Sequence, residues 1–289
     1  MNTSNSCKKP PLFQTIVSVL LIVIVVGFFG GVLLLIGAVC LNGNLGSRNH
    51  AVAYDRMDIA QLEMAVLAFK ERFGEYPPDF GEETNEQKLA AVKEFLSKAF
   101  PKCPKANYPV EFQSLAKFDP QKYNPATALV FWLGGMQDPN GNLIGFSADR
   151  KNPFDPDAKS RIGPFFEFYQ QYLGKSGGGI KYYPPSNRGD RSQGCYIYFR
   201  AEDGTYAGKA YAEAGNSGAM QDARHSTGKK IEYMNPKTFQ IRSFGLDGQW
   251  GSTPETRWGV LFPTATDFNP ENFDDMGNFC PTTFEDRMP

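Results

Sequence analysis

Two hydrophobic patterns of different kind follow one another along the first quarter of the chain. From Pro10 to Ser47 there is no charged residue, and between Leu12 and Leu41 nearly every position is apolar. A helix of roughly 30 residues is about 45 Å long, more than the ~30 Å hydrocarbon core of a bilayer. The run is too long for the apolar core of a cleaved signal peptide. It predicts a transmembrane helix over 12–41, preceded by a short segment over 1–11. Gly27 and Gly31 form a GxxxG pair inside it, and small residues at that spacing let membrane helices approach closely. After a break rich in Asn, Gly and Ser, the pattern changes. Leu62, Val66, Phe69 and Phe73 recur at helical spacing, with Asp55, Asp58, Glu63, Lys70 and Glu71 mostly on the remaining surface. This predicts an amphipathic helix over 51–73. Gly74 is a natural residue just beyond a helix end, and Pro77 and Pro78 forbid its continuation.

Beyond residue 80 the pattern is shorter in range. NEQKLAAVKEFLSKA, 85–99, predicts a helix with Leu89, Val92, Phe95 and Leu96 on one face. The apolar stretch 126–136 suits a short helix or a strand ended by Gly134 and Gly135. Turn signals follow at 138–141, 152–153, 155–156 and 177–179. GCYIYFRA, 194–201, has the aromatic and β-branched run of a strand, with a turn at Asp203 and Gly204. TFQIRSFG, 238–245, predicts a second strand, with another turn at Asp247 and Gly248. The expected fold is α+β: a long N-terminal helix, transmembrane and then amphipathic, packed on a small antiparallel sheet. A loop-rich insertion occupies 80–190, the sheet and a C-terminal loop 194–289, and 51–289 forms one extracytoplasmic head.

Composition narrows the function classes. The 289 residues carry 30 Lys and Arg against 31 Asp and Glu, a formal net charge of −1. That balance argues against nucleic acid as a partner. Lys8 and Lys9 before the apolar run are nearly matched by Arg48 and Arg56 after it, and the long polar domain that follows orients the N-terminus inward and the head outward. The five cysteines include no CxxC pair, so neither a thiol-redox motif nor a structural zinc site is expected. Cys103, Cys195 and Cys280 can form one disulfide or remain as buried thiols. With two histidines, His50 and His225, and no nucleophile elbow or phosphate loop, no catalytic constellation emerges. Glu82 and Glu83 suit a solvated turn. The clusters Phe165, Phe166, Phe168, Tyr169 and Tyr182, Tyr183 suit core packing, with a carbohydrate-stacking surface as the sharper alternative.

Taken together, a charge-free N-terminal helix, an amphipathic helix and then LAFKERFGEYPPD resemble the opening of type IV pilins and type II secretion pseudopilins. The matching residues are Phe69, Lys70, Gly74, Tyr76 and Pro77. Near the C-terminus, Ser243, Gly245, Asp247 and Gly248, then Asp275, Met276, Asn278 and Phe279, resemble the end of the major, G-type pseudopilins. Leu12 and Val17 depart from the family, which has Gly before the Phe13 position and Glu at the fifth residue from it. The resemblance implies a structural, non-enzymatic protein anchored in the bacterial inner membrane, N-terminus inside and head periplasmic or extracellular. Its partners would be the lipid bilayer and like or unlike pilin-type subunits. The resemblance also implies calcium at the C-terminal loop, with Asp247 and Asp275 as ligands and Asp274 as a helper, since Ca²⁺ takes carboxylate and carbonyl oxygens. An alternative is a membrane-tethered binding module, for polysaccharide or secreted cargo, that reuses the pilin scaffold.

Overall fold

The computed structural model describes residues 48–187, 194–206, 209–211, 217–218, 221–222, 232–246, 261–262 and 274–284. The chain divides into two compact units, Met1–His50 and Ala51–Pro289. The expected span 12–41, with Gly27 and Gly31, lies outside the described residues. No helix among the described residues is long and apolar enough to cross a membrane.

The first described helix, α1, covers 48–73. Ile59, Leu62, Ala65, Val66 and Phe69 form its buried apolar face. Glycine ends it for a conformational reason. Gly74 has φ +85°, which side-chain-bearing residues rarely adopt, and its N–H donates to the Lys70 carbonyl at 2.7 Å. The chain then folds back: the Lys70 ammonium sits 4.1 Å over the Tyr76 ring, and that ring packs on Phe239 at 5.2 Å. Two of the acidic positions expected on the solvent side, Asp55 and Asp58, are buried instead.

Helix α2 spans Asn85–Ala99, as its sequence predicts. Thr84 starts it with a capping box: its hydroxyl accepts from Gln87 N–H, and the Gln87 side chain accepts from Thr84 N–H. Leu89, Val92, Phe95 and Leu96 are its buried face. The apolar run at 126–136 becomes a helical turn of π type, Val130–Gly134.

The strands, in chain order, are β1 (Phe146–Ser147), β2 (Arg161–Ile162), β3 (Leu173–Ser176), β4 (Gly179–Tyr182) and β5 (Ile197–Arg200). Then come β6 (Ala210–Tyr211), β7 (Ser217–Gly218), β8 (Gln221–Asp222), β9 (Phe239–Ser243), β10 (Leu261–Phe262) and β11 (Met276–Gly277). The fold is mixed α and β with small antiparallel sheets. The largest described sheet has the order β11-β9-β5, both pairs antiparallel, with Tyr198 opposite Ile241 and Met276 opposite Ser243. Both strands expected from the sequence, β5 and β9, are in it. The short β8 and β10 pair in parallel. The hairpin β3–β4 turns at Gly177 and Gly178, both at positive φ. Glycines marked that turn in the sequence, but the mixed sequences LGKS and GIKY did not mark its strands.

The described residues 80–187 share one core with the rest of the head rather than standing apart from it. Phe69 of α1 meets Phe95, Trp132, Phe146 and Phe165 at ring-centroid distances between 5.3 and 6.4 Å. Phe80, Phe112 and Tyr123 continue the same ring network. Tyr198, Phe239, Ile241 and Met276 bring the three-stranded sheet into it. Phe166, Phe168, Tyr182 and Tyr183 are buried, so these aromatics are core and not a ligand-stacking platform; Tyr169 is exposed. Cys103, Cys195 and Cys280 are buried, and no disulfide joins them to one another.

Removal of a ring at the centre of this network leaves a cavity that the rigid surround does not close. Phe69→Ala is expected to lower unfolding stability by about 3–5 kcal/mol, read by urea denaturation. Leu67→Ala, on the exposed side of the same helix, is expected to stay within about 0.5 kcal/mol.

Candidate functional site

Helix α1 has an outer face as distinct as its inner one. Tyr54, Met57, Met64 and Leu67 are 57%, 54%, 68% and 42% exposed, and their spacing sets them along one side of the helix. Single exposed apolar residues are ordinary, but a file of four on one helix is a surface suited to a second apolar helix. Beside it lies a cleft of about 540 Å³ between α1 and residues 276–281, bordered by Met57, Ala60, Glu63, Met276, Phe279 and Cys280. Asn278 closes the cleft's floor. Its side-chain carbonyl accepts from Ile241 N–H at 3.0 Å, and its amide donates to Glu63 at 3.4 Å.

The inner face of α1 carries two carboxyls among these apolar residues. Asp55 accepts from Ser186 N–H at 3.0 Å and from the Ser186 hydroxyl at 2.5 Å. Asp58, one turn further on, accepts from the Tyr182 hydroxyl at 3.2 Å. Burial pushes the Asp55 carboxyl up to about 7, against the pull of Ser186, and the neighbouring Asp58 charge adds to the rise. Burial likewise raises Asp58 to about 6, against the pull of the nearby Tyr196 hydroxyl and the bond from the Tyr182 hydroxyl.

A second polar cluster holds the elbow that follows α1. Asp79 is fully buried. Its Oδ1 accepts from Gly81 N–H at 2.9 Å and Lys209 Nζ at 3.0 Å; its Oδ2 accepts from Arg200 N–H at 2.6 Å and Lys209 Nζ at 2.8 Å. Lys209 also reaches Glu82 at 3.4 Å and Glu202 at 3.3 Å. Burial opposes the Lys209 charge, but Asp79, Glu82 and Glu202 outweigh it and hold its pKa above the ordinary lysine value. Glu82, expected in a solvated turn, is only 11% exposed at its side chain, and burial followed by the Asp79 charge raises its pKa. Sequence reasoning missed this cluster because its members lie up to 130 positions apart. The one local signal was an acid directly after Pro77 and Pro78. The cluster flanks a polar groove of about 800 Å³ between α2 and β5, where Glu94, Lys98, Arg200 and Glu202 mix both signs of charge.

Of the three acids expected to bind calcium, the two described, Asp274 and Asp275, have different partners. Asp247 lies outside the described residues. Asp274 Oδ2 accepts from Leu246 N–H at 2.6 Å, at a turn where Gly245 has φ +73° and a Cβ would come within 2.5 Å of Asp274. Asp275 is buried against Arg242, with a 3.3 Å ion pair whose two side chains are wholly inaccessible. A carboxylate facing a guanidinium is poorly placed to face a cation as well, so the described residues do not by themselves fit a calcium cage. Among the described residues no three His, Cys, Asp or Glu side chains come together as metal ligands. His50 is exposed on α1, and His225 lies outside the described residues.

Taking away one member of a buried charge pair leaves the other without compensation. Asp79→Ala is therefore expected to cost about 3–5 kcal/mol in chemical denaturation, whereas Glu83→Ala, outside the Lys209 pairs, stays within about 0.5 kcal/mol. No protein-family model, curated protein or solved structure matches the chain.

Proposed function

We propose that this chain is a membrane-anchored structural subunit of a pilin-like assembly, of the type II secretion pseudopilin kind. The observation that carries the reading is the outer file of Tyr54, Met57, Met64 and Leu67 on a helix whose opposite face is already committed to the head. A helix with an occupied inner face and an apolar outer one is suited to stacking against its own kind. The elbow at Gly74, the return of Tyr76 onto the helix end and the antiparallel sheet beneath α1 support the same reading.

On this reading, residues 12–41 anchor the chain in a bacterial inner membrane, with the N-terminus inside and the head in the periplasm or outside the cell. Gly27 and Gly31 let neighbouring spans approach. Partners are like or unlike pilin-type subunits and the lipid bilayer, with no role for nucleic acid. The work is assembly in secretion rather than bond chemistry. A membrane-tethered binding module is the second reading, and the polar groove of about 800 Å³ between α2 and β5 favours it.

Crosslinking separates the two. In native membranes, full-length chain carrying Met64→Cys is expected to give an oxidant-dependent ladder of oligomers, and Glu86→Cys on α2 only the background of the parent chain. A Met64→Cys chain no more crosslinked than the parent would sink the assembly reading and leave the tethered module.

Calcium at the C-terminal loop requires Asp247 together with Asp274, because Asp275 already faces Arg242. If that loop binds calcium, a chelator lowers the melting temperature of the parent chain and leaves Asp247→Ala unmoved. Equal melting of the parent chain with and without chelator removes calcium from the proposal.

A further inference from the structure

Asp55 and Asp58 are two carboxyls one helical turn apart, buried on the inner face of α1, and both bind the same distant stretch of chain. Asp55 takes the backbone N–H and the hydroxyl of Ser186, and Asp58 takes the hydroxyl of Tyr182. These bonds bridge 131 and 124 positions of sequence. They attach the segment 182–187, which follows the β3–β4 hairpin, to the helix.

The charges around the pair are uneven. Among the described residues no Lys or Arg pairs with either carboxyl. The hydroxyls of Tyr182 and Tyr196 lie against Asp58, and Tyr169 and Tyr172 stand near Tyr182. Burial and the nearby Asp58 charge raise the pKa of both tyrosines, so they remain neutral donors at physiological pH. Lys181 on β4, next to Tyr182, has its ammonium 5.6 Å from the centre of the Tyr211 ring. Arg56 on α1 is exposed.

We propose that Asp55 and Asp58 form a proton-operated latch that holds segment 182–187 on α1 while the pair is protonated and lets it go when both are ionised. With one or both protons in place, the pair carries at most one negative charge and its hydrogen bonds hold the segment. With both protons lost, two like charges share a desolvated patch with no counter-charge among the described residues, and release of the segment lets water reach them.

The sign follows from the direction of the shifts. Both carboxyls titrate higher when latched than the ordinary value of 3.8. Protonation therefore favours closure, which is complete below that ordinary value and weakens as pH rises through 6 and 7.

Hydrogen exchange on the full-length chain tests the latch, with the Ser186 amide read by peptide-resolved mass spectrometry and corrected for intrinsic exchange. Protection at 182–187 is expected to fall on the order of tenfold or more between about pH 5.5 and pH 8, and Asp55→Asn/Asp58→Asn to be protected equally at both. Unchanged protection of the parent chain across that interval would overturn the latch. So would a double variant that keeps the parental pH dependence. Should the double variant not fold, a ¹³C carboxyl titration of the parent chain decides: midpoints near 6 and 7 support the latch, and midpoints near the ordinary aspartate value overturn it.

Discussion

A single buried carboxylate, that of Asp79, decides where the chain goes after its first helix. Four hydrogen bonds from three different parts of the sequence converge on its two oxygens. An ionised carboxylate without those donors is far too costly to bury, so the segment after Pro78, the end of β5 and residue 209 have to meet at one point. The capped start of α2 follows five residues later and inherits that position. The polar groove between α2 and β5 is a further result, because its two walls leave the same charged junction.

The apolar half of the structure depends on the elbow in turn. Once α1 is turned back at Gly74, Phe69 lies where rings from α2, the helical turn at Val130–Gly134 and β1 can surround it. Aromatic rings at these separations add directional preference to their buried area, so the core is a lattice of edges and faces rather than a featureless oil drop. The outward file on α1 is a consequence of the same geometry. A helix of this length has more apolar circumference than one sheet covers, and the remainder faces away.

Period and punctuation in the sequence carried much of this. The face of α1, its glycine stop, all of α2 and the strands β5 and β9 follow from local rules: spacing of apolar residues, a capping box, left-handed glycine, aromatic and β-branched runs. What stayed hidden is the chemistry made by long-range proximity. Asp55 and Asp58 sit in an amphipathic pattern as two more polar positions, and nothing near them announces Ser186 or Tyr182. Glu82 resembles a surface acid until Lys209 arrives from 127 positions away. The β3–β4 hairpin escaped because its strands have weak alternation and rely on a pair of glycines for the turn. The metal expectation came from the resemblance of the C-terminal loop, and the Arg242 opposite Asp275 has no signature in the local sequence.

The three thiols in the head have a consequence for where it can mature. Cys103, Cys195 and Cys280 are enclosed and no disulfide joins them to one another, so packing and charge networks hold the described part of the head together. A body of this size buries enough apolar surface to stand without a disulfide. Among these three residues there is accordingly no bond that an oxidant must make or a reducing milieu can cut.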